Sequence, residues 1–188
     1  FAAEHGEFGV LAAAEGADIT ALCLTAEDGA AFCEIDGLFF DAALMRVLSS
    51  PAKKRTDDLK LLSRWAIARG GAAEGFAMDT GLAGYVLNVT ATDYSTARLA
   101  MEYGAAKREL SGEFDRLGAL SEDAAVFDSL CGKLSEKIEQ NGQDFLLHEI
   151  ELPLAGTLAA MELRGFELDA RGLREYGAEL SAEIERLE

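Results

Sequence analysis

The stretch GVLAAAEGADITALCLT, residues 9–25, decides how the chain begins to fold. Two runs of apolar and small residues stand on either side of EGAD, whose Gly and Asp are typical of a tight turn. The pattern predicts a β-hairpin whose first strand ends at one carboxylate, Glu15. A third apolar run at residues 30–35 follows a second turn signal, EDGA, and extends the prediction to a three-stranded antiparallel meander.

The rest of the chain is mostly helical in pattern. Asp57 or Asp58 is suited to cap a helix that carries Leu62 on its apolar stripe, and Asp79 is suited to cap the segment TGLAGYVLN. A weak strand is predicted at residues 72–77. Further helices are predicted at residues 39–48, 96–103, 121–140, 143–162 with a break near Pro153, and 169–187. This order predicts an α/β domain with a mixed sheet flanked by helices.

Composition indicates a globular protein that binds nucleic acid poorly by itself. The 188 residues suffice for a buried core, and 49% of them are hydrophobic. The formal net charge of −17 would repel a DNA duplex from most faces, and it also favours a monomer. The basic cluster KKR at residues 53–55 is predicted to be a solvated loop rather than a phosphate site.

The sequence also predicts where the protein resides. No apolar run reaches the roughly 18 residues that cross a membrane, and no basic leader precedes an apolar stretch, so no membrane is expected as a partner. Cys23 and Cys33 lie in predicted strands as buried thiols, which favours the reducing cytoplasm. The chain begins at Phe1 without Met and stops within a helical pattern, which is typical of a segment of a longer protein.

The tail carries the most specific motif, HEIELPLAGTLAAMELRGFELDARGLREYGAEL at residues 148–180. Its ExPL segment opens a helix, Gly165 suits the residue just past the helix end, and Asp169 suits the next cap. The motif resembles the junction in bacterial family A DNA polymerases where an exonuclease-type domain meets the polymerase domain. A second segment, FAMDTGLAGYVLN at residues 76–88, resembles a strand-to-helix segment of the same family.

The resemblance implies a ribonuclease-H-like 3′–5′ exonuclease fold with a helical C-terminal extension. Residues 1–150 would form the exonuclease-like domain, and residues 151–188 would form the first helices of the polymerase domain, at the base of the thumb. The parent protein would be a DNA-directed DNA polymerase that uses Mg²⁺ and binds primer-template DNA. The polymerase domain of the same chain is then the expected partner of this segment.

Active exonucleases of this family hold two divalent metals with four acids, because hard cations require several oxygen ligands. The first motif is Asp-x-Glu, and the aligned residues here are Ala13 and Glu15, so that only the glutamate remains. Counting back from Asp79 without gaps puts the second acid position at Leu62. Alignment on Pro153 puts the third at Ala124 or Ala125.

The resemblance therefore implies that no catalytic set is intact, with Glu15 as a remnant and acids lost at Ala13, Leu62 and Ala125. No metal or other cofactor is expected for this segment, and His5 and His148 lack ligand partners at a suitable spacing. The main hypothesis is a vestigial domain that supports the polymerase.

Two alternatives remain open. The first is an active nuclease with a site rebuilt from displaced acids, which are Glu15, Asp18, Asp57 or Asp58, and Glu122 or Asp123. The second is a protein-binding module unrelated to replication.

Overall fold

The computed structural model describes residues 4–34, 39–110 and 118–187. Within them lies a five-stranded sheet. Its strands are β1 (Glu7–Glu15), β2 (Asp18–Ala26), β3 (Gly29–Glu34), β4 (Lys53–Thr56) and β5 (Phe76–Asp79). Their order across the sheet is β3-β2-β1-β4-β5. The first three strands are antiparallel, whereas β4 pairs parallel to β1 and β5 pairs parallel to β4, so the predicted mixed sheet is confirmed.

Helices cover both faces of this sheet. One face packs against α1 (Phe40–Leu48) and α2 (Leu59–Ala68). The other packs against α3 (Thr80–Leu87), α4 (Thr96–Tyr103) and α5 (Ala119–Gln140). A π-helical segment, Leu146–Glu151, then leads into α6 (Leu152–Arg164) and α7 (Ala170–Leu187). None of the described helices is both long and apolar enough to cross a membrane.

Alternation along β1 sorts its side chains between two cores, because successive residues of a strand point to opposite faces. Phe8 and Val10 are fully buried in the cluster under α1 and α2, which we call the α2-side core. Leu11 is fully buried in the cluster under α5, with Ala13 packed against it, and we call this cluster the α5-side core. The two faces of the sheet therefore have separate environments.

The predicted meander is confirmed, although Ile35, the predicted end of its third strand, lies outside the described residues. The predicted helix caps are also confirmed. The Asp58 carboxylate accepts a hydrogen bond from the Leu61 amide at 2.8 Å, and the Asp79 carboxylate accepts one from the Leu82 amide at 2.9 Å. The predicted break near Pro153 falls at the end of the π-helical segment, so that this proline occupies the first turn of α6, where its missing N–H costs nothing.

The KKR cluster was predicted to be a solvated loop, and this prediction is wrong. These residues form most of β4, which lies between β1 and β5, and Lys54 is fully buried. Its ammonium donates hydrogen bonds to the carbonyl oxygens of Ser50 and Ala52 and lies 5.3 Å from the centroid of the Phe76 ring. Two carbonyl acceptors and one aromatic face compensate for the loss of water around this charge.

Arg55, the last basic residue of the cluster, faces α5. Its guanidinium lies 2.9 Å from the carboxylate of Asp128, which also binds Arg108 at 3.1 Å. The Thr25 hydroxyl donates to the same carboxylate at 3.3 Å. One carboxylate therefore ties α5 to β4, to β2 and to the segment that follows α4.

The predicted burial of the strand thiols holds only in part. Cys23 is fully buried in the α5-side core, but Cys33 is exposed. The difference follows from topology, because β3 is the edge strand and Cys33 lies near its end, where little packs over the sheet.

Candidate functional site

Carboxylates gather where β4 and β5 end. Asp57 and Asp58 follow β4 directly, and Asp79 is the last residue of β5. Parallel neighbouring strands end at the same edge of a sheet, so the topology brings these three acids together. The N-termini of α2 and α3 begin at the same edge, one after each strand.

Asp79 joins the two helix N-termini. One of its carboxylate oxygens accepts a hydrogen bond from the Leu59 amide at 2.7 Å, and the other accepts from the Leu82 amide at 2.9 Å. Its side chain is buried, and burial raises its pKa to about 7, although the two amides oppose that shift. The carboxylate therefore accepts hydrogen bonds from amides of the first helical turns, which have no carbonyl acceptor within their own helix.

Asp57 lies in the electrostatic field of the other acids. Burial raises its pKa to about 7, and the negative charges of Asp79, Asp123 and Asp58 add to the shift. Asp123, on α5, has its own pKa raised by burial and by Glu122. The acids of α5 thus contribute to the field at this edge of the sheet.

The positions that the family resemblance marks as lost acids fall in two places. Ala13 packs against the α5-side core, and Ala124 is fully buried in it. Ala125 is also buried, and its carbonyl accepts a hydrogen bond from the Arg108 amide at 2.9 Å. The face between β1 and α5 is therefore apolar at these positions.

Leu62 lies elsewhere, buried in the α2-side core on the opposite face of the sheet. Ala13 and Leu62 therefore lie on opposite faces of the sheet. The structure instead puts Asp57 and Asp58, one helical turn earlier, at the edge where β4 ends. The cap signal of these two acids was the sequence feature that could have located the site.

Glu15 is exposed at the far end of β1. The register pairs Gly9 with Arg55, so Leu11 is the residue level with Asp57. Glu15 lies four residues beyond Leu11, or about 13 Å along the strand. A two-metal site keeps its ions roughly 4 Å apart, so Glu15 and Asp57 are not placed to share one.

The histidines are engaged in other contacts. His5 lies 2.9 Å from a carboxylate oxygen of Asp28, and that contact holds the pKa of Asp28 below its usual range. The ring nitrogens of His148 contact the carbonyl oxygens of Asp144 at 3.0 Å and Ala77 at 3.2 Å. Across residues 4–34, 39–110 and 118–187, no group of three or more His, Cys, Asp or Glu residues is arranged to hold a metal ion.

A pocket of about 400 Å³ opens beside the three acids, between the N-termini of α2 and α3 and the side of α6. We call it the α6 pocket. Its polar wall consists of Asp57, Asp58, Lys60, Asp79 and Glu151. Its apolar wall consists of Leu82, Tyr85, Tyr94, Leu154, Ala155 and Leu158, with Gly81 between the two walls. Tyr94 could not be predicted as a site residue, because it lies outside any periodic segment.

The similar proteins found by sequence comparison include DNA polymerases I from several bacteria. The chain is 31% identical to DNA polymerase I of Geobacillus stearothermophilus over 92% of its own length and 21% of that protein. It is 32% identical to DNA polymerase I of Bacillus subtilis over 66% of its length and 15% of that protein. The chain thus spans about a fifth or less of the curated relatives that it matches.

A solved structure agrees with these relatives. The POL domain of Pol1 from M. smegmatis, in complex with DNA primer-template and dNTP, superimposes with a TM-score of 0.77 at 27% identity. The match covers 98% of this chain and 33% of that chain. No protein-family model matches the sequence. The shared sequence along most of the chain and the shared fold establish that the chain belongs to the bacterial DNA polymerase I family, the family A polymerases.

Proposed function

We propose that this chain is a non-catalytic, exonuclease-like part of a DNA polymerase I, and that it supports the polymerase domain without proofreading. The fold would be ribonuclease-H-like. Three antiparallel strands followed by two parallel strands, with helices on both faces, are consistent with that fold. Sequence identity along 92% of the chain to a DNA polymerase I supports the parent activity.

The observation that carries the proposal is the apolar contact between β1 and α5. Ala13 and the fully buried Ala124 belong to the same packed cluster, with Phe127 beside them. A metal site at this face would need several carboxylate oxygens in place of these methyl groups. Asp58 and Asp79 serve the fold instead, because they accept hydrogen bonds from helix amides.

The C-terminal helices support a scaffold role. α6 packs along α2, where Lys60 and Glu162 form an ion pair at 2.9 Å. The described part of α7 buries no side chain, yet Leu173, Tyr176, Leu180 and Ile184 form an apolar stripe on it. We assign residues 1–150 to the exonuclease-like domain and residues 151–188 to the base of the polymerase thumb. The stripe would then pack against the polymerase domain, which would bind Mg²⁺ and contact the primer-template DNA.

A nuclease assay tests the central claim. The full chain is incubated with 3′-labelled single-stranded DNA and either Mg²⁺ or Mn²⁺, and the labelled ends are followed on a denaturing gel. We expect no release of label above a protein-free blank, and the same result for the Glu15→Ala variant. Metal-dependent release that Glu15→Ala abolishes would contradict the loss of proofreading.

The same assay addresses a site rebuilt from displaced acids. The negative charges of Asp79 and Asp123, which add to the raised pKa of Asp57, favour this alternative over one built on Glu15. Degradation that persists in Glu15→Ala but disappears in Asp57→Asn would support it. Unchanged DNA with all three proteins would leave the scaffold proposal standing.

A further inference from the structure

We propose that the α6 pocket binds a small organic cation that has an apolar body, such as an aryl amidinium. The pocket combines a hydrophobic wall with a wall of carboxylates, and the two walls select for the two parts of such a molecule. This inference does not depend on the scaffold role and would hold for a nuclease as well.

The charge of the pocket favours a cation. Four carboxyl groups line it, from Asp57, Asp58, Asp79 and Glu151, against the single ammonium of Lys60. That ammonium is partly neutralised, because it forms an ion pair with Glu162 at 2.9 Å. A phosphate or carboxylate ligand would be repelled by this lining, whereas a cation would be attracted to it.

The carboxylates differ in how many of their oxygens already accept hydrogen bonds from the backbone. Both oxygens of Asp79 already accept backbone amides, and one oxygen of Asp58 accepts the Leu61 amide. Asp57, the second oxygen of Asp58, and Glu151 at the rim are therefore the groups best placed to bind the cation. An amidinium presents two parallel N–H donors, which match a carboxylate in the manner of arginine.

The apolar wall fits a flat or slender body. Tyr85 and Tyr94 meet edge to face, with ring centroids 5.9 Å apart, and Leu154 and Leu158 of α6 are each 40% exposed. These side chains leave apolar surface open to solvent, so a ring placed there would remove it from water. An aromatic ring with one cationic group satisfies both walls at once.

The raised pKa of Asp57 agrees with this geometry. Burial and neighbouring acids raise the pKa of Asp57 to about 7, although a hydrogen bond from its own backbone amide opposes the shift. A bound cation favours the charged form of this carboxyl, and the affinity is therefore expected to rise between pH 6 and pH 8.

The probe is benzamidine, titrated into the full 188-residue chain while backbone amide shifts are followed by NMR. Benzamide has nearly the same shape without the charge and serves as the neutral control. We expect saturable binding of benzamidine, with amide shifts concentrated around Leu61, Leu82 and Leu158, and at least ~10-fold weaker binding of benzamide. Equal affinities for the two compounds would overturn the proposal.

Matched variants locate the binding. Asp58→Asn keeps the helix cap, because asparagine caps about as well as aspartate, and it should weaken benzamidine binding several-fold. Glu149→Gln removes an exposed charge outside the pocket lining and should leave binding unchanged. If Asp58→Asn fails to fold, Glu151→Gln takes its place at the pocket rim. Equal affinities of the pocket variant and Glu149→Gln would refute the assignment.

A second pair tests the apolar wall. Leu158 and Leu163 lie on α6 and are 40% and 43% exposed, but only Leu158 lines the pocket. Leu158→Gln should weaken benzamidine binding several-fold, whereas Leu163→Gln should not. A loss of binding in both variants, or in neither, would place the ligand elsewhere.

Discussion

Asp79 shows how one residue fixes the start of two helices. Its carboxylate bonds the amides of Leu59 and Leu82, both of which lack a partner inside their own helix. Asp79→Ala leaves both amides unpaired in a buried place, and we expect it to lower the free energy of unfolding by about 2–4 kcal/mol. Urea denaturation followed by circular dichroism measures the change.

Two comparison variants sharpen this prediction. Asp79→Asn keeps one oxygen acceptor and should lose roughly half as much stability as Asp79→Ala. Asp58→Ala removes one exposed cap bond and should cost about 1 kcal/mol. If Asp79→Ala lowers the free energy of unfolding no more than Asp58→Ala does, the two hydrogen bonds of Asp79 do not stabilise the starts of α2 and α3 as described.

The raised pKa values of Asp57 and Asp79 predict a pH dependence. Each carboxyl has a pKa of about 7 in the folded chain against an ordinary value of 3.8, so the folded state holds more protons between these limits. Stability should therefore fall as pH rises from 4 to 7 and then level off. Each carboxyl accounts for about 2–3 kcal/mol, so we expect the free energy of unfolding to be roughly 5 kcal/mol lower at pH 8 than at pH 5.

The Asp57→Asn variant separates this effect from general charge repulsion. An amide cannot titrate here, so the decrease in stability between pH 5 and pH 8 should shrink in this variant. Glu149→Gln removes one exposed charge and should keep the full decrease, as measured by urea midpoints at each pH. An identical pH profile in Asp57→Asn and the unmodified chain would contradict the assigned role of Asp57.

For single residues, the sequence predicted the helix caps well but did not predict which residues come together in the folded chain. The caps at Asp58 and Asp79 were predictable because capping depends on residue type and on local position. Counting along the chain led to Leu62 as the second acid position, but it could not reveal that Leu62 packs on the opposite face of the sheet from Ala13. The pocket tyrosines could not be foreseen, since they meet through tertiary packing.

Among the elements, the approach of α5 to the sheet depends on Gly9 of β1. A Cβ there would lie 2.3 Å from the Thr25 hydroxyl and 2.6 Å from the Phe127 ring, which is closer than atoms can pack. Gly9→Ala should therefore cost about 1–3 kcal/mol, because α5 must move or its side chains must leave their rotamers. Thermal and urea denaturation report the change.

The matched control is Gly6→Ala, where a Cβ meets no atom within 4 Å. It should change the free energy of unfolding by less than about 0.5 kcal/mol. Phe127→Leu in the Gly9→Ala background should recover part of the loss if the ring contact is its cause. Equal stabilities of Gly9→Ala and Gly6→Ala would show that α5 is not set by this contact.

Element prediction succeeded where periodicity was clear and failed at β4. The meander and the long helix α5 follow regular apolar spacing, and the structure has them close to the predicted bounds. β4 carries Lys54 and Arg55 in place of the apolar residues that mark a buried strand. Their burial depends on the carbonyl oxygens of Ser50 and Ala52 and on the distant Asp128, none of which a local pattern reveals.

Considered as a whole, the chain has a core that ends before its C-terminus. Leu134 of α5 is fully buried, whereas Leu180 of α7 is 45% exposed. Leu180→Glu should leave the free energy of unfolding of this chain within about 0.5 kcal/mol, while Leu134→Ala should cost about 2–5 kcal/mol. Urea denaturation of both variants checks the contrast, and a large loss in Leu180→Glu would mean that α7 is packed.

The buried ammonium of Lys54 has a practical consequence for labelling chemistry. The other five lysines, Lys53, Lys60, Lys107, Lys133 and Lys137, are exposed. Amine-reactive esters should therefore modify those five quickly and reach Lys54 only when the sheet opens. The rate of Lys54 acylation, followed by mass spectrometry, would then report how often β4 opens in the chain without any substitution.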